Sequence, residues 1–316
     1  MKKIIIILAG VLALIVVLAL CALLPVDGEE SGPLPANRES AATAFEMSTE
    51  FPELTDASYS IYRTDVPAVT AQSVEEVAAR FGMTGKAEVC NQRTGEMRVV
   101  DDSKDDLVRL SMYPASGAVL YEVPDRMFPN AVTEPPALPS REEVIAIADA
   151  FLEERELLPS GAEVSAVEVD QRHEVWTAGS NEPEETYDVT LAVRYARTLD
   201  GFPVYGDEMA VTIGDGGDVV GMVRCWREVE ATEKTKVISA EEAYEDLKVG
   251  KTVRPGDASR YGRVLIEEIS IGYWMEPRIS DQETVAPVWV FSGTAYYGGV
   301  EEPYQEYVAA VEGGVE

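Results

Sequence analysis

The sequence predicts an α+β protein: an N-terminal transmembrane helix, then repeated units in which one helix packs on an antiparallel sheet. Three observations support this prediction. An uncharged apolar run follows the first residues, a Ser-x-x-Glu helix start occurs three times, and segments of alternating polarity with glycine turns follow each start. A helix whose apolar stripe covers one face of a sheet is the packing that this order of elements favours.

The apolar run extends from Ile4 to Leu24 and contains no charged side chain. At about 1.5 Å per residue, a helix of this length spans the roughly 30 Å hydrocarbon core of a bilayer. Lys2 and Lys3 precede the run and favour a cytoplasmic N-terminus. We therefore expect residues 1–25 to be a transmembrane helix or signal anchor, with one membrane pass through residues 4–24 and the bulk of the chain extracytoplasmic.

Two alternatives for this segment stay open. A cleaved signal peptide would need small residues at its cleavage site, and the segment Ala22–Pro25 fits that pattern poorly. The segment Leu18–Cys21 resembles a lipobox, with Leu20 where a small residue is usual. A lipid on Cys21 would leave the topology unchanged.

The chain is strongly acidic, with 57 Asp and Glu, 26 Lys and Arg, and a formal net charge of −31. Such a surface repels phosphate backbones and carries no basic cluster, so we expect no nucleic-acid partner. The acidity indicates high solubility or a high-salt environment. Outside the apolar run the only cysteines are Cys90 and Cys225, so at most one disulfide can form and the fold depends on apolar cores.

Composition divides the exported part into units joined by irregular segments. Residues 26–56 are rich in Glu, Ser, Pro and Thr and predict an acidic flexible spacer. Four prolines predict a linker at 129–139, because proline interrupts helices and central strands. The predicted units are 57–128, 140–232 and 233–316.

Each unit contains one predicted helix start. Ser73, Ser140 and Ser239 each stand three residues before a glutamate, which is the spacing of a capping box. Apolar residues at helical spacing follow each of them. Alternating polarity and turn residues predict strands at 107–112, 118–123, 164–169, 187–197, 209–213, 219–229, 264–274, 285–291 and 306–311.

The second unit resembles the fungalysin/thermolysin propeptide domain in short motifs. They are Arg197–Gly206 (RTLDGFPVYG), the strand Met209–Ile213 and the Gly216-Gly217 turn. The segment Ile238–Ala243 resembles the opening helix of a PepSY domain. The third unit is similar to the C-terminal part of YycH/YycI-type regulatory proteins, in Ile271–Tyr273, Pro287–Trp289 and Tyr307–Ala310.

The resemblance covers roughly residues 139–312. It implies a cystatin/PepSY-like fold, and the families concerned carry no catalytic residues. YycH/YycI-type proteins are single-pass, extracytoplasmic regulators of a sensor kinase. We therefore expect a non-catalytic, membrane-anchored binding or regulatory protein whose partner is the extracytoplasmic domain of another membrane or envelope protein. The alternative is a protease inhibitor or a propeptide-like folding assistant acting in trans; no protease-like segment follows the propeptide-like part.

The sequence contains no recognisable catalytic, metal-binding or cofactor-binding motif. The only histidine, His173, lies in a polar stretch, so we expect it on the surface, without the oriented partner that a catalytic histidine needs. Paired histidines and Cys-x-x-Cys are absent, as are a P-loop and a dinucleotide-binding glycine motif. The acidic segments 101–106 and 215–218 are predicted to be solvated turns rather than calcium sites. We expect no enzyme activity, no metal and no cofactor.

Aromatic side chains provide the remaining candidates for a binding site. The candidate partner surface consists of Trp226, Trp274, Tyr296 and Tyr297. The alternative is that the aromatic side chains form a core and an interface between the second and third units. The strand segment 288–291 is apolar on both faces, which predicts that both faces are buried.

The conspicuous Gly201-Phe202-Pro203-Val204 motif is predicted to be structural rather than a binding site. Gly201 follows Asp200 as a turn pair, and Pro203 lacks a backbone N–H, so the segment suits a sheet edge. Phe202 and Val204 are expected to pack beneath the second helix.

Overall fold

The structure, a computed structural model, describes residues 4–6, 43–53, 58–103, 106–130, 132, 134–254 and 260–311. Of these described residues, 47% lie in strands and 16% in helices. The strands form three sheets. The protein is therefore mostly β.

The helices are α1 Ala71–Arg80, α2 Pro124–Met127, α3 Arg141–Glu154 and α4 Ala240–Lys248. The strands are β1 Ile4–Ile6, β2 Ala44–Met47, β3 Tyr59–Asp65, β4 Glu88–Asn91, β5 Glu96–Asp101, β6 Val108–Tyr113, β7 Ala118–Glu122, β8 Glu163–Trp176, β9 Glu185–Ala196, β10 Thr198–Leu199, β11 Phe202–Tyr205, β12 Glu208–Ile213, β13 Val219–Cys225, β14 Glu228–Thr235, β15 Arg263–Trp274, β16 Thr284–Val285, β17 Pro287–Tyr297 and β18 Val300–Ala309.

The largest sheet has nine antiparallel strands in the order β1-β8-β9-β12-β13-β7-β6-β5-β4. Its centre is the pairing of β7 with β13, in which Leu120 lies opposite Val223. Helices α1 and α3 contribute Val74, Val144 and Leu152 to one core that also contains apolar side chains of the sheet, such as Leu110.

The predicted α+β fold of repeated helix-on-sheet units is wrong. Strands from the predicted units 57–128 and 140–232 pair in one sheet, and their helices share one core. The physical reason is that a four-stranded meander ends in an edge strand whose backbone N–H and C=O groups are unpaired. These groups are satisfied when β7 and β13 pair with each other. Sheet formation across the linker replaces separate units.

The second sheet has the order β10-β11-β15-β17-β18, and β2 also pairs with β15. Helix α4 covers one face, where Trp289 and Phe291 are fully buried. Val288 and Val290 are buried on the opposite face beside Trp274. The prediction that this strand is buried on both faces is confirmed.

The third sheet consists of β14, β3 and β16, with β3 in the middle. β14 follows β13 of the largest sheet directly, and β16 precedes β17 of the second sheet. The small sheet therefore lies at the junction of the other two.

Two of the three predicted helix starts are confirmed. The Ser140 hydroxyl accepts from the Glu143 N–H and the Ser239 hydroxyl accepts from the Glu242 N–H, each in a complete capping box. The first start lies three residues earlier than predicted. Thr70 is the N-cap there, and Ser73 is the third helical residue, whose hydroxyl accepts from the Thr70 N–H.

In the described part of the chain, no helix is both long and apolar enough to cross a membrane. The predicted transmembrane segment 4–24 lies outside the described residues except for β1, which pairs with the end of β8. The helical prediction is therefore wrong for residues 4–6. The predicted spacer lies outside the described residues except for 43–53, which contains β2.

Candidate functional site

The four aromatic residues of the predicted partner surface are not brought together. Trp226 is only 3% exposed and lies in the large core, with the Arg197 guanidinium carbon 4.5 Å from its ring centre. Trp274 is 7% exposed and packs on Tyr307 in the second sheet. Tyr296 is half-buried beneath Arg263, and Tyr297 is 63% exposed at the tip of the β17–β18 hairpin.

The Gly201–Val204 motif forms a turn and strand β11, between β10 and β15. Asp200 and Gly201 have positive φ angles of 50° and 82°, as the turn pair predicts. Val204 and Phe202 pack with Tyr62 and Tyr273, so their predicted place beneath the second helix is wrong. The parallel pairing of β11 with β15 moves this segment from the largest sheet to the second one.

The structure also gives the burial of His173 and the state of the two cysteines. His173 is 3% exposed within β8, so its predicted surface position is wrong. Cys90 and Cys225 are both free thiols, the first exposed and the second buried. Among the described residues, no three His, Cys, Asp or Glu side chains are grouped to hold a metal ion.

The main geometric feature at the junction of the sheets is a fixed loop between β15 and β16. The buried guanidinium of Arg227 donates to the carbonyl oxygens of Glu276, Pro277 and Ser280, at 2.6, 3.2 and 2.6 Å. Hydrogen bonds from a charged donor are stronger than neutral ones, so three of them hold this loop firmly.

The segment after this loop, residues 281–284, is fixed from both sides. The Gln282 side chain accepts from the Glu276 N–H at 2.9 Å and donates to the Trp274 carbonyl at 3.0 Å. On the other side, the Thr64 N–H donates to the Glu283 carbonyl at 2.9 Å and the Thr64 hydroxyl donates to the Gln282 carbonyl. We call residues 281–284 the dividing segment, because a groove lies on each side of it.

The first groove, which we call the Pro114 groove, has a volume of about 850 Å³. It lies between β3 and the β6–β7 turn, and Arg63, Pro67 and Pro114 contribute to its walls. The second, which we call the Trp274 groove, has a volume of about 660 Å³ and lies between the dividing segment and the ends of β17 and β18.

Charge differs between the two grooves. Arg63 of the Pro114 groove pairs with Glu230 at 2.8 Å. In the Trp274 groove the charged lining residues, among those that the structure describes, are Glu276, Asp281 and Glu283. The Glu276 carboxylate accepts from the Trp274 indole N–H at 3.1 Å. Asp281 and Glu283 are exposed, and neither carboxylate has an ion-pair partner among the described residues.

A buried ion pair supports the junction from the side of the largest sheet. Arg197 donates to Asp207 at 2.7 Å and to the Arg227 carbonyl at 2.8 Å. Burial raises the pKa of Asp207 to about 6, although the Arg197 guanidinium opposes this shift. Together with the stacking of Arg197 on Trp226, this arrangement fixes the backbone from which Arg227 reaches the loop.

Sequence reasoning selected Trp274 but missed the dividing segment and Arg227. Arg227 follows Cys225 and Trp226, and an arginine directly after two apolar residues at the end of a strand is the one local signal that could have indicated a buried guanidinium. The dividing segment, Asp-Gln-Glu-Thr, has the composition of an ordinary solvated loop. Only its contacts across the fold distinguish it.

Comparisons with known proteins leave the family of the chain open. No family model and no curated protein matches it. Among solved structures, it is similar to an uncharacterized protein from Eubacterium rectale ATCC 33656, solved at 1.45 Å resolution, with 11% identity over 82% of this chain and 85% of that chain. The TM-score is 0.45, and we draw no argument from this likeness. The resemblance to PepSY, propeptide and YycH/YycI-type proteins stays a prediction.

Proposed function

We propose that this protein is a non-catalytic binding protein that regulates an extracytoplasmic domain of another membrane or envelope protein, with a sensor kinase as one candidate partner. The observation that carries the proposal is the pair of grooves on either side of the dividing segment. Each groove combines apolar and polar lining residues, and a preformed concave surface of this mixed kind is a usual form of a binding site. The Arg227 and Gln282 hydrogen bonds provide that rigidity without ligand.

The proposed location rests on the apolar N-terminal run. The uncharged part that follows β1, residues 7–24, has the length of about 17–25 residues that a membrane span needs. In the anchored chain β1 leaves its pairing with β8, because a single span at 7–24 places the two strands on opposite sides of the membrane. A protein held in this way meets its partners at the membrane surface. The strongly acidic surface suits binding there to partners with basic extracytoplasmic domains.

The test is recovery of the partner with the full chain, tagged at its C-terminus, from cross-linked detergent extracts of the native cell. We expect one membrane or envelope protein to be enriched reproducibly with the wild-type chain. Gln282→Leu removes the side-chain contacts to Glu276 and Trp274, so recovery should fall several-fold. Gln72→Leu, on the exposed face of α1, is the matched control and should recover the partner as the wild type does.

Enrichment of no membrane or envelope protein would contradict the proposal. Enrichment of a secreted metalloprotease, together with inhibition of that protease by the purified chain, would instead support the inhibitor or folding-assistant alternative. A regulator should leave such protease activity unchanged.

A further inference from the structure

The walls and the rim of the Trp274 groove differ in chemistry. The walls are mainly apolar, with Val253, Val288, Ala309 and Val311 around Trp274. The rim carries the carboxylates of Glu276, Asp281 and Glu283, and its described lining includes no lysine or arginine. An occupant that matches both parts must carry apolar surface and positive charge together.

Lysine and arginine side chains have this combination, because their aliphatic stems cover apolar surface while their charged ends reach polar groups. We propose that the Trp274 groove binds a short extended segment of the partner protein in which lysine or arginine alternates with apolar residues. The apolar side chains occupy the wall near Val288 and Ala309, and the cationic groups reach Asp281 and Glu283.

Other occupants match fewer of these features. A bare cation gains nothing from the apolar walls, and an acidic segment is repelled by all three carboxylates. A polyamine provides charge without branched apolar groups to fill the groove. Charge complementarity between a basic segment and unpaired rim carboxylates also increases the association rate and selects against acidic competitors.

The inference rests on the proposed function, since it names the part of the partner that is recognised. The test is titration calorimetry with the full chain in detergent and the peptide acetyl-Val-Lys-Val-Lys-Val-amide, against a detergent-only blank. We expect measurable binding that weakens as NaCl is raised, because salt screens exposed charges. The same peptide with norleucine in place of lysine should bind about two- to thirtyfold more weakly, as expected for the loss of two exposed ion pairs. The glutamate peptide should bind more weakly still, and spermidine should not compete.

Three variants locate the binding site. Asp281→Asn combined with Glu283→Gln should weaken peptide binding about two- to thirtyfold, because exposed ion pairs contribute about 0.2–1 kcal/mol each. Glu153→Gln, on the exposed face of α3, is the charge-matched control and should have no effect. Ala309→Leu should weaken binding by narrowing the groove. If that variant melts at a lower temperature than the wild type, Ala286→Leu, at another lining position of the same groove, replaces it.

Equal binding of the lysine and glutamate peptides, or unchanged binding to the Asp281/Glu283 and Ala309 variants, would overturn the inference. A chain that captures an envelope partner but binds none of the peptides would leave the proposed function standing and remove this inference. A chain that binds the lysine peptide at this groove but captures no envelope partner would remove the proposed function instead.

Discussion

Asp101 is a buried carboxylate at the end of β5, in a segment whose sequence predicts a solvated acidic turn. One oxygen accepts from the Ser103 hydroxyl at 2.5 Å and the Ser103 N–H at 3.0 Å, and the other accepts from the Thr84 N–H at 2.8 Å. These hydrogen bonds, led by the one from the Ser103 hydroxyl, lower the pKa of Asp101 to about 2. The prediction of a solvated turn is therefore wrong at this residue.

The lowered pKa of Asp101 predicts a pH-dependent contribution to stability. The carboxylate stabilises the fold fully above its unfolded pKa of about 3.9, and the contribution is lost as the pH falls through about 2. We expect Asp101→Asn to lower the free energy of unfolding at pH 7 and to lose most of that difference near pH 2. Urea unfolding at several pH values measures this.

The control for Asp101 is its neighbour Asp102, which is exposed. Asp102→Asn should change stability little at any pH. If Asp101→Asn lowers the free energy of unfolding by the same amount at pH 7 and near pH 2, the charge of the carboxylate does not stabilise the fold.

At the scale of the element, α4 shows how a local sequence signal supports a distant core. Its capping box joins Ser239 and Glu242: the Glu242 N–H donates to the serine hydroxyl at 3.2 Å, and the Glu242 carboxylate accepts from the Ser239 N–H at 2.9 Å. The helix then covers Trp289 and Phe291. Fraying of the first turn of α4 therefore exposes part of the apolar core that this helix covers.

Replacement of the cap measures this contribution. Ser239→Ala should destabilise the protein by about 1 kcal/mol, the usual cost of losing a serine N-cap. Amide hydrogen exchange should increase in α4 more than in α3. Ser58→Ala, at an exposed position before β3, is the matched control and should change neither measurement. An unchanged unfolding midpoint for Ser239→Ala would mean that tertiary packing alone fixes the start of α4.

At the scale of the whole molecule, the net charge of −31 opposes compaction through self-repulsion. Raising NaCl from about 10 mM to about 0.3 M shortens the screening length from roughly 30 Å to less than 10 Å. We therefore expect the melting temperature to rise steeply over this range and then to level off. Calorimetric melts across a salt series measure this. A rise that is linear up to about 2 M, without the steep part, would indicate a general salt effect instead of screening.

The sequence by itself determined features that depend on neighbouring residues. The serine–glutamate spacing located the N-caps of α3 and α4 at Ser140 and Ser239, and alternating polarity located most of the long strands. Two-faced burial of β17 at Trp289 also followed from the local pattern. Capping and alternation act within a few residues, so the sequence contains the whole of their physical cause.

Only the tertiary structure decided which strands share a sheet. Backbone hydrogen bonds between strands carry little sequence information, so nothing local showed that β7 pairs with β13, or that β11 leaves the largest sheet to pair with β15. The candidate site depends on these long-range choices. Arg227 holds the loop before the dividing segment and Thr64 holds the segment itself, although both are distant from it in sequence. The grooves exist because three sheets meet there.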